Sequence, residues 1–386
     1  MFAFPQWFSY LKTRFSFTSV GSAYEPYMTR ERYVYDEQTN QYKTLSLYPN
    51  YNLKPELTNS YEAGLNIRLF KGAVRLDATY YKSNTLNQTF IADVPAGYAG
   101  VYVQSGDVQN AGLELALGAS MRWKNFTWDA HFTYSYNENT IKKLADGVRN
   151  PVTDEIISMP YLYAATLGDS GSPEVRLVEG GSMGDVYVMR DWKRDDNGHI
   201  LIDPISSLPS IINSEYHKTG SVLPKAYAGW KNTFAYKRIT INTLITGRFG
   251  GVVVSNTQAI MDRYGVSAYS AHLREKGMFI ENTPISAKDY LNIIAENTGQ
   301  GAHYVYNATN IRLGELSIHY AIPKKWTGNI AEVAIGIVGA NLAMIYCKAP
   351  FDPESVASPT NVFYTGVDYF IQPSLRTLGA NIKIQF

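Results

Sequence analysis

The sequence predicts an all-β fold, an antiparallel transmembrane β-barrel, and three observations carry that prediction. Apolar residues recur at every second position in run after run, the period of a strand with one greasy and one polar face. The connections between these runs alternate between short turns and long insertions, as they do in barrels with short turns on one side of a membrane and long loops on the other. Tyrosine is abundant at 30 residues and aromatics reach 13%. Membrane-interface girdles use such an excess, as does a sugar-binding surface. No apolar run reaches the roughly 18 residues of a membrane helix. The nearest, Val333 to Cys347, is short and broken by Gly336, Gly339 and Asn341.

The pattern is plainest from Tyr61 to Tyr81. Tyr61, Ala63, Leu65, Ile67 and Leu69 share one parity; Val74, Leu76, Ala78 and Tyr80 share the other, after a hairpin signal at Lys71-Gly72. The opposite face carries Glu62, Arg68, Arg75 and Asp77, so it faces water while the greasy face meets lipid. Residues 1–12 read as aromatic and irregular, Arg14 to Gly21 as a weakly alternating strand, and 22–58 as a polar, Tyr-rich loop. Pro95, Gly97 and Gly100 mark a loop over 91–100. Val101, Val103, Leu113, Leu115, Leu117, Ala119 and Met121 then form one long, partly irregular strand. A short break at Arg122 to Asn125 precedes the cleanest alternation, Phe126 to Asn137.

Residues 141–225 read mostly as loop, with one expected hairpin: Val186 to Met189 against His199 to Ile202, across Asp195-Asp196-Asn197-Gly198. Two strands follow, Trp230 to Tyr236 and Ile239 to Phe249, joined at Lys237-Arg238. In the insertion 251–303, Ser286 to Asp289 is a capping box ahead of Tyr290, Leu291, Ile293 and Ile294, so a short helix stopping at Gly299 is expected. Ile311 and Leu313 are odd while Leu316, Ile318 and Tyr320 are even, which predicts a β-bulge at Gly314-Glu315. A turn over Pro323 to Gly328 leads to Val333, Ile335 and Ile337; residues 344–370 form a third long loop. The chain ends on Leu378, Ala380, Ile382, Ile384 and Phe386. About ten strands result, or about twelve with the Val186 hairpin, and either even number puts the C-terminus on the short-turn side.

A formal net charge of +1 gives no electrostatic footprint for nucleic acid. Cys347 is the single cysteine, so no intrachain disulfide forms. Asp195, Asp196 and Asn197 with Asp203 hint at calcium, but an EF-hand register would place Lys193 first and Pro204 twelfth, so a plain turn is the better reading. His131, His199, His217, His272, His303 and His319 show no zinc spacing, and no P-loop, GxSxG or dinucleotide fingerprint occurs. The sequence therefore predicts no enzyme, no metal and no cofactor.

Leu53-Lys54-Pro55-Glu56 through Leu65 and the strand motif Gly112-Leu113-Glu114-Leu115 are similar to the barrel segments of the TonB-dependent transporters, and more narrowly of the SusC/RagA group that imports glycans or peptides. Pro224, Trp230 to Thr233, Arg248 to Gly251 and Asn256 to Asp262 resemble later segments. So do Ile311-Arg312-Leu313, Leu316-Ser317, Tyr320 to Pro323, Gly339, Asn341-Leu342, Tyr346 and Phe351-Asp352-Pro353-Glu354, and at the end Gln372-Pro373, Arg376-Thr377, Gly379, Asn381 and Phe386. The resemblance covers nearly the whole chain.

It implies a Gram-negative outer-membrane location and about the C-terminal half of a large barrel with long extracellular loops. A family barrel has about 22 strands, and the signal sequence, TonB box and plug are not visible in residues 1–386. Met1 to Tyr10 lacks a basic n-region and contains Pro5. Residues 1–386 are thus expected to be the C-terminal part of a longer receptor. The implied partners are a SusD-like surface lipoprotein, the TonB–ExbB–ExbD complex acting through the missing N-terminal part, membrane lipid, and a glycan or peptide substrate. Loops 141–225 and 251–303 are expected to form the outer mouth, the partner contact and part of the substrate site, where Tyr and Trp either stack on sugar rings or simply pack the loops or belt the membrane. Ile382, Ile384 and Phe386 are expected to form the signal read by barrel-assembly machinery. Substrate-binding residues are not legible. Two rival readings are a small self-closed porin-like barrel and a soluble all-β glycan-binding protein.

Overall fold

The computed structural model describes residues 5–31, 33–44, 47–92, 100–144, 148–149, 154, 156–157, 160–167, 173–212, 215–295, 301–328, 330–358 and 364–386. Ten strands form one antiparallel meander in which each strand pairs with its chain neighbours. They are β1 (Phe8–Ser22), β2 (Glu56–Leu69), β3 (Val74–Ala92), β4 (Gly100–Trp123), β5 (Phe126–Lys143), β6 (Ala226–Tyr236), β7 (Ile239–Phe249), β8 (Asn310–Ala321), β9 (Glu332–Cys347) and β10 (Thr377–Gln385). Among the described residues β1 pairs with β2, β10 with β9, and the two edges do not meet. The sheet is an open wall, which is not the self-closed barrel of the rival reading.

The register keeps the sequence parity throughout. Phe17 opposes Tyr61, Ala63 opposes Tyr80, Leu117 opposes Phe132, Phe132 opposes Trp230, Ile241 opposes Ile318 and Ile337 opposes Ala380. This face is bare: Leu117 is 41% exposed and Ile337 is 61% exposed. No second sheet packs on it among the described residues, so the two-sheet core that a soluble sandwich needs is not formed. Both β6 and β7 have 11 residues, about the length that crosses a bilayer at a tilt. The longer β3, β4 and β5 run past that length.

The bulge falls where the parity switch puts it. Leu244 opposes Glu315 and Ile245 opposes Leu313, so Gly314 is the extra residue. The Lys71-Gly72 hairpin closes through left-handed backbone at Phe70, Lys71 and Gly72 (φ 52°, 57° and 88°). At Gly72 that conformation is free of side-chain strain.

Other expectations need correction. The first strand begins at Phe8, inside the stretch read as irregular, because Tyr10 to Thr13 find partners in Leu65 to Arg68. The Tyr-rich loop contains a hairpin, Tyr33–Asp36 against Gln41–Thr44. The Val186 hairpin does not form. Asp185–Val188 pairs instead with Glu174–Leu177 and His217–Ser221, which bury Val186 and Val188. The Asp195 turn closes only a small loop, with Arg194 bridged to Ile200. Two helices escaped the sequence reading: α1 (Asn256–Arg263) and α2 (Ala268–Lys276). The expected helix is α3 (Ala287–Ala295), with Ser286 Oγ accepting from Asp289 N at 3.0 Å. Gly299, Pro95 and Gly97 lie outside the described residues.

Candidate functional site

The inner face of the wall is polar and laterally cross-linked. Arg14 pairs with Asp77 at 2.6 Å, and Asn66 Nδ2 donates to the same carboxylate at 2.7 Å. Arg75 donates to Ser120 Oγ at 3.2 Å, and His131 reaches Asp129 at 2.7 Å. Tyr81 Oη donates to Asn137, whose amide donates to Asn110. Thr233 donates to Asn242, and Asn242 donates to Ser317. Two motif glycines make room for this layer. A Cβ on Gly64 would sit 2.3 Å from Arg14 Nε, and one on Gly112 would sit 2.6 Å from Tyr81 Cζ. The face encloses a concavity of about 1160 Å³ whose polar lining includes Arg14, Asp77, Glu114, Arg248 and Glu354. A hydrated, hydrogen-bonding surface of this kind suits passage of a polar solute better than storage of an apolar one.

Above the wall the long insertions fold together. The outer ends of β3, β4 and β5 bury Phe90, Val101, Val103, Val108 and Ile141 under Leu162 and Leu177. Val252–Ser255 pairs antiparallel with Val305–Asn307 and parallel with Val367–Asp368, joining the second insertion to the third. Trp192 of the first insertion stacks on Tyr290 of α3 at 5.9 Å. Arg190 donates to Ile293 O, and Asn256 Nδ2 donates to Leu167 O at 3.1 Å. Tyr304 is fully buried and donates to Asp262 Oδ2 at 3.1 Å; burial, with Asp262 beside it, pushes its phenol far above the ordinary tyrosine range. Burial holds the His303 imidazole below its ordinary pKa, with Asp262 opposing. Tyr290 and Tyr304 are buried and pack the cap, whereas Trp192 stays half-buried.

Ion pairs from a single arginine join wall and cap: Arg312 reaches Asp352 and, at 3.4 Å, Glu354. Arg312 of β8 meets Asp352 of the third insertion at 2.8 Å, with both side chains 9% exposed, and Asn310 accepts from Arg312 Nε. Burial raises the Asp352 pKa, but hydrogen bonds from Arg312, Ser374 and Glu354 N outweigh it and hold the carboxyl below its ordinary range. Arg312 and Asp352 belong to two separate segments of the resemblance, and their spacing in the sequence gave no signal of contact. Two of the acids in the calcium hint are taken up by turns: Asp195 accepts from His199 N and Asn197 N, and Asp203 from Ser206 N and Ile205 N. Ile382 and Ile384 project from the outward face of edge strand β10, opposite Ile335 and Val333, and the C-terminal Phe386 is 94% exposed.

An antiparallel meander with a bare apolar exterior, a polar interior and long insertions at one end defines the class: the wall of an outer-membrane β-barrel. Residues 5–197, half of the chain, match the family described as TonB dependent receptor-like, beta-barrel. The chain belongs to that family, as a SusC/RagA-like portion of the barrel. It is 24% identical to TonB-dependent receptor P3 of Formosa agariphila, over 97% of this chain and 39% of that protein. To TonB-dependent receptor SusC of Bacteroides thetaiotaomicron it is 22% identical, over 87% of this chain and 32% of that protein. The RagAB peptide importer in its open-open state shares the fold, with a TM-score of 0.71 over 99% of this chain and 41% of that one, at 17% identity. The chain thus spans about two fifths of the length of the first relatives it matches. These relatives are receptors and transporters of the outer membrane, and none is an enzyme.

Proposed function

We propose that residues 1–386 form the C-terminal part of a TonB-dependent importer that takes up glycans or peptides with a SusD-like surface lipoprotein. The carrying observation is the joined cap: three insertions far apart in sequence close into one packed unit over the polar face, as a solute-receiving mouth requires. The open edges support the fragment reading. In lipid, the unpaired backbone of β1 and β10 would cost several kcal/mol per group, so further strands from a longer protein complete the barrel. Plug, TonB box and signal sequence then lie outside these residues, and TonB–ExbB–ExbD acts through that outer part. Ile382, Ile384 and Phe386 are the assembly signal, an apolar C-terminal stripe on the outward face.

The test is to isolate the protein from outer membranes of the cell that makes it, with antibody against this chain. A band much larger than 43.2 kDa that brings down a lipoprotein, and whose loss abolishes uptake of an oligosaccharide or oligopeptide, is expected. A heat-shifting band near 43.2 kDa with no partner contradicts the proposal.

A further inference from the structure

The four short turns lie at one end of the sheet, opposite the cap, and their charge is one-sided. Residues 70–73, 124–125, 237–238 and 322–331 contain Lys71, Lys124, Lys237, Arg238, Lys324 and Lys325, and no Asp or Glu. The whole chain is nearly neutral at +1, so the remainder is net acidic and the turns stand apart from it. Only Lys324 has a carboxylate partner among the described residues, Glu332 at 2.6 Å. The other five cations are exposed at turn tips.

These turns form a continuous rim. Phe70 N donates to Trp7 O, Ser120 N to Ala73 O, Lys237 N to Asn125 O, and Ala321 N to Arg238 O. Each turn tip also places an exposed aromatic beside its cation: Phe70 by Lys71, Trp123 by Lys124, Tyr236 by Lys237 and Trp326 by Lys325. Lys237 Nζ lies 5.3 Å from the Tyr236 ring. Amphipathic rings settle at headgroup depth, and cations beside them meet whatever charge the headgroups carry.

We propose that this rim binds anionic phospholipid headgroups of the leaflet it faces, fixing the depth of the barrel in the membrane. The inference rests on the wall's placement in a bilayer. An acidic protein would match the charge equally, but it gives no reason for an aromatic at every turn, which a lipid interface does.

The test reconstitutes the full protein, extracted from outer membranes, in nanodiscs of phosphatidylethanolamine with a minority of phosphatidylglycerol. Native mass spectrometry counts the lipids retained. Wild type is expected to enrich phosphatidylglycerol several-fold, about fivefold or more. The variant K71Q/K124Q/K237Q/R238Q/K325Q is expected to fall to the bulk ratio while keeping its heat-shifted mobility, and K71R/K124R/K237R/K325R to behave as wild type. K193Q/K276Q/K288Q, which neutralises cap cations, is expected to keep the enrichment. No enrichment in wild type, or equal enrichment in the glutamine variant, overturns the proposal. So does binding of polyglutamate through the rim without lipid enrichment, which would make it a protein-docking face. Failure to enter the bilayer at all would instead sink the membrane placement, and is read separately from mobility.

Discussion

The wall and the cap are one chain with opposite rules for apolar residues. In the wall, Leu117 and Ile337 stand exposed and the polar side chains are inside, tied strand to strand by pairs such as Arg14–Asp77. In the cap, Tyr304, Val254 and Leu167 are fully buried, and the buried carboxylate of Asp262 is matched by Tyr304, Ser267 and Gln258. The wall is built for a greasy solvent and gets its order from ladder hydrogen bonds, while the cap is built for water and gets its order from burial. The boundary falls where β3, β4 and β5 outrun the membrane and begin to bury Val101, Val103 and Ile141.

This contrast is open to attack from both sides. The largest effect is expected from Tyr304→Ala in the cap. It removes a fully buried ring and leaves Asp262 short of a donor, a loss of about 3–5 kcal/mol. Limited proteolysis should then cut within 251–309 while the wall keeps its heat-shifted mobility. If the wall collapses with the cap, the two regions are one cooperative unit and the contrast fails.

At the seam, Arg312→Leu strands the Asp352 carboxylate in a half-dry site, at a cost of about 3 kcal/mol or more. Hydrogen exchange should rise in 348–358 before it rises in β8. In the wall, Leu117→Arg on the lipid face should cost about 2–4 kcal/mol in bilayer folding titrations. The same change at Thr133, on the polar face, should cost far less. Equal penalties on both faces would contradict the lipid assignment.

The smallest effects probe the cap again. Ser286→Ala deletes the N-cap of α3 and should cost about 1 kcal/mol, seen as faster exchange in its first turn. Acid should loosen the cap in two windows. His303 has a folded-state pKa below its ordinary value, so the unfolded state binds the proton more tightly. Its penalty starts as pH falls below about 6.5 and is complete below the folded value. Asp352 has a depressed carboxyl, so its contribution is present above the ordinary aspartate range and is lost as pH falls through the lower, folded value. Cap proteolysis measured from pH 7 down to 3 should show both, and His303→Phe should remove the first.

The same contrast explains what the sequence made legible. Most wall residues face lipid or water according to parity, so the central strands, the short turns and the Gly314 bulge could be read one residue at a time, but the start of β1 at Phe8 and the end of β9 at Cys347, inside a stretch read as loop, could not. Helix α3 was legible because Ser286 caps it and Tyr290, Leu291 and Ile294 bury an apolar stripe. Helices α1 and α2 were not, because their buried positions include the polar residues Asn256, Asp262 and Ser270, which break the hydrophobic period; Asn256 and Asp262 meet Leu167 O and Tyr304, far away in sequence. The Val186 strand misled for a related reason: its partners Glu174–Leu177 and His217–Ser221 are chosen by tertiary burial, while the nearby Asp195 turn offered a local hairpin that the fold does not use. The Arg312–Asp352 pair spans two insertion boundaries, and no spacing rule reports such a contact.

The lipid-facing wall and the water-facing cap are told apart most directly by photolabelling of the protein in its native outer membrane with a carbene probe dissolved in lipid, beside a water-soluble carbene probe. The lipid probe is expected to mark Leu117, Trp230, Ile318 and Ile337 on the wall and to spare Tyr264, Phe279 and the rest of the cap surface, with the water probe giving the reverse. Labelling of both regions by the water probe alone would contradict that expectation.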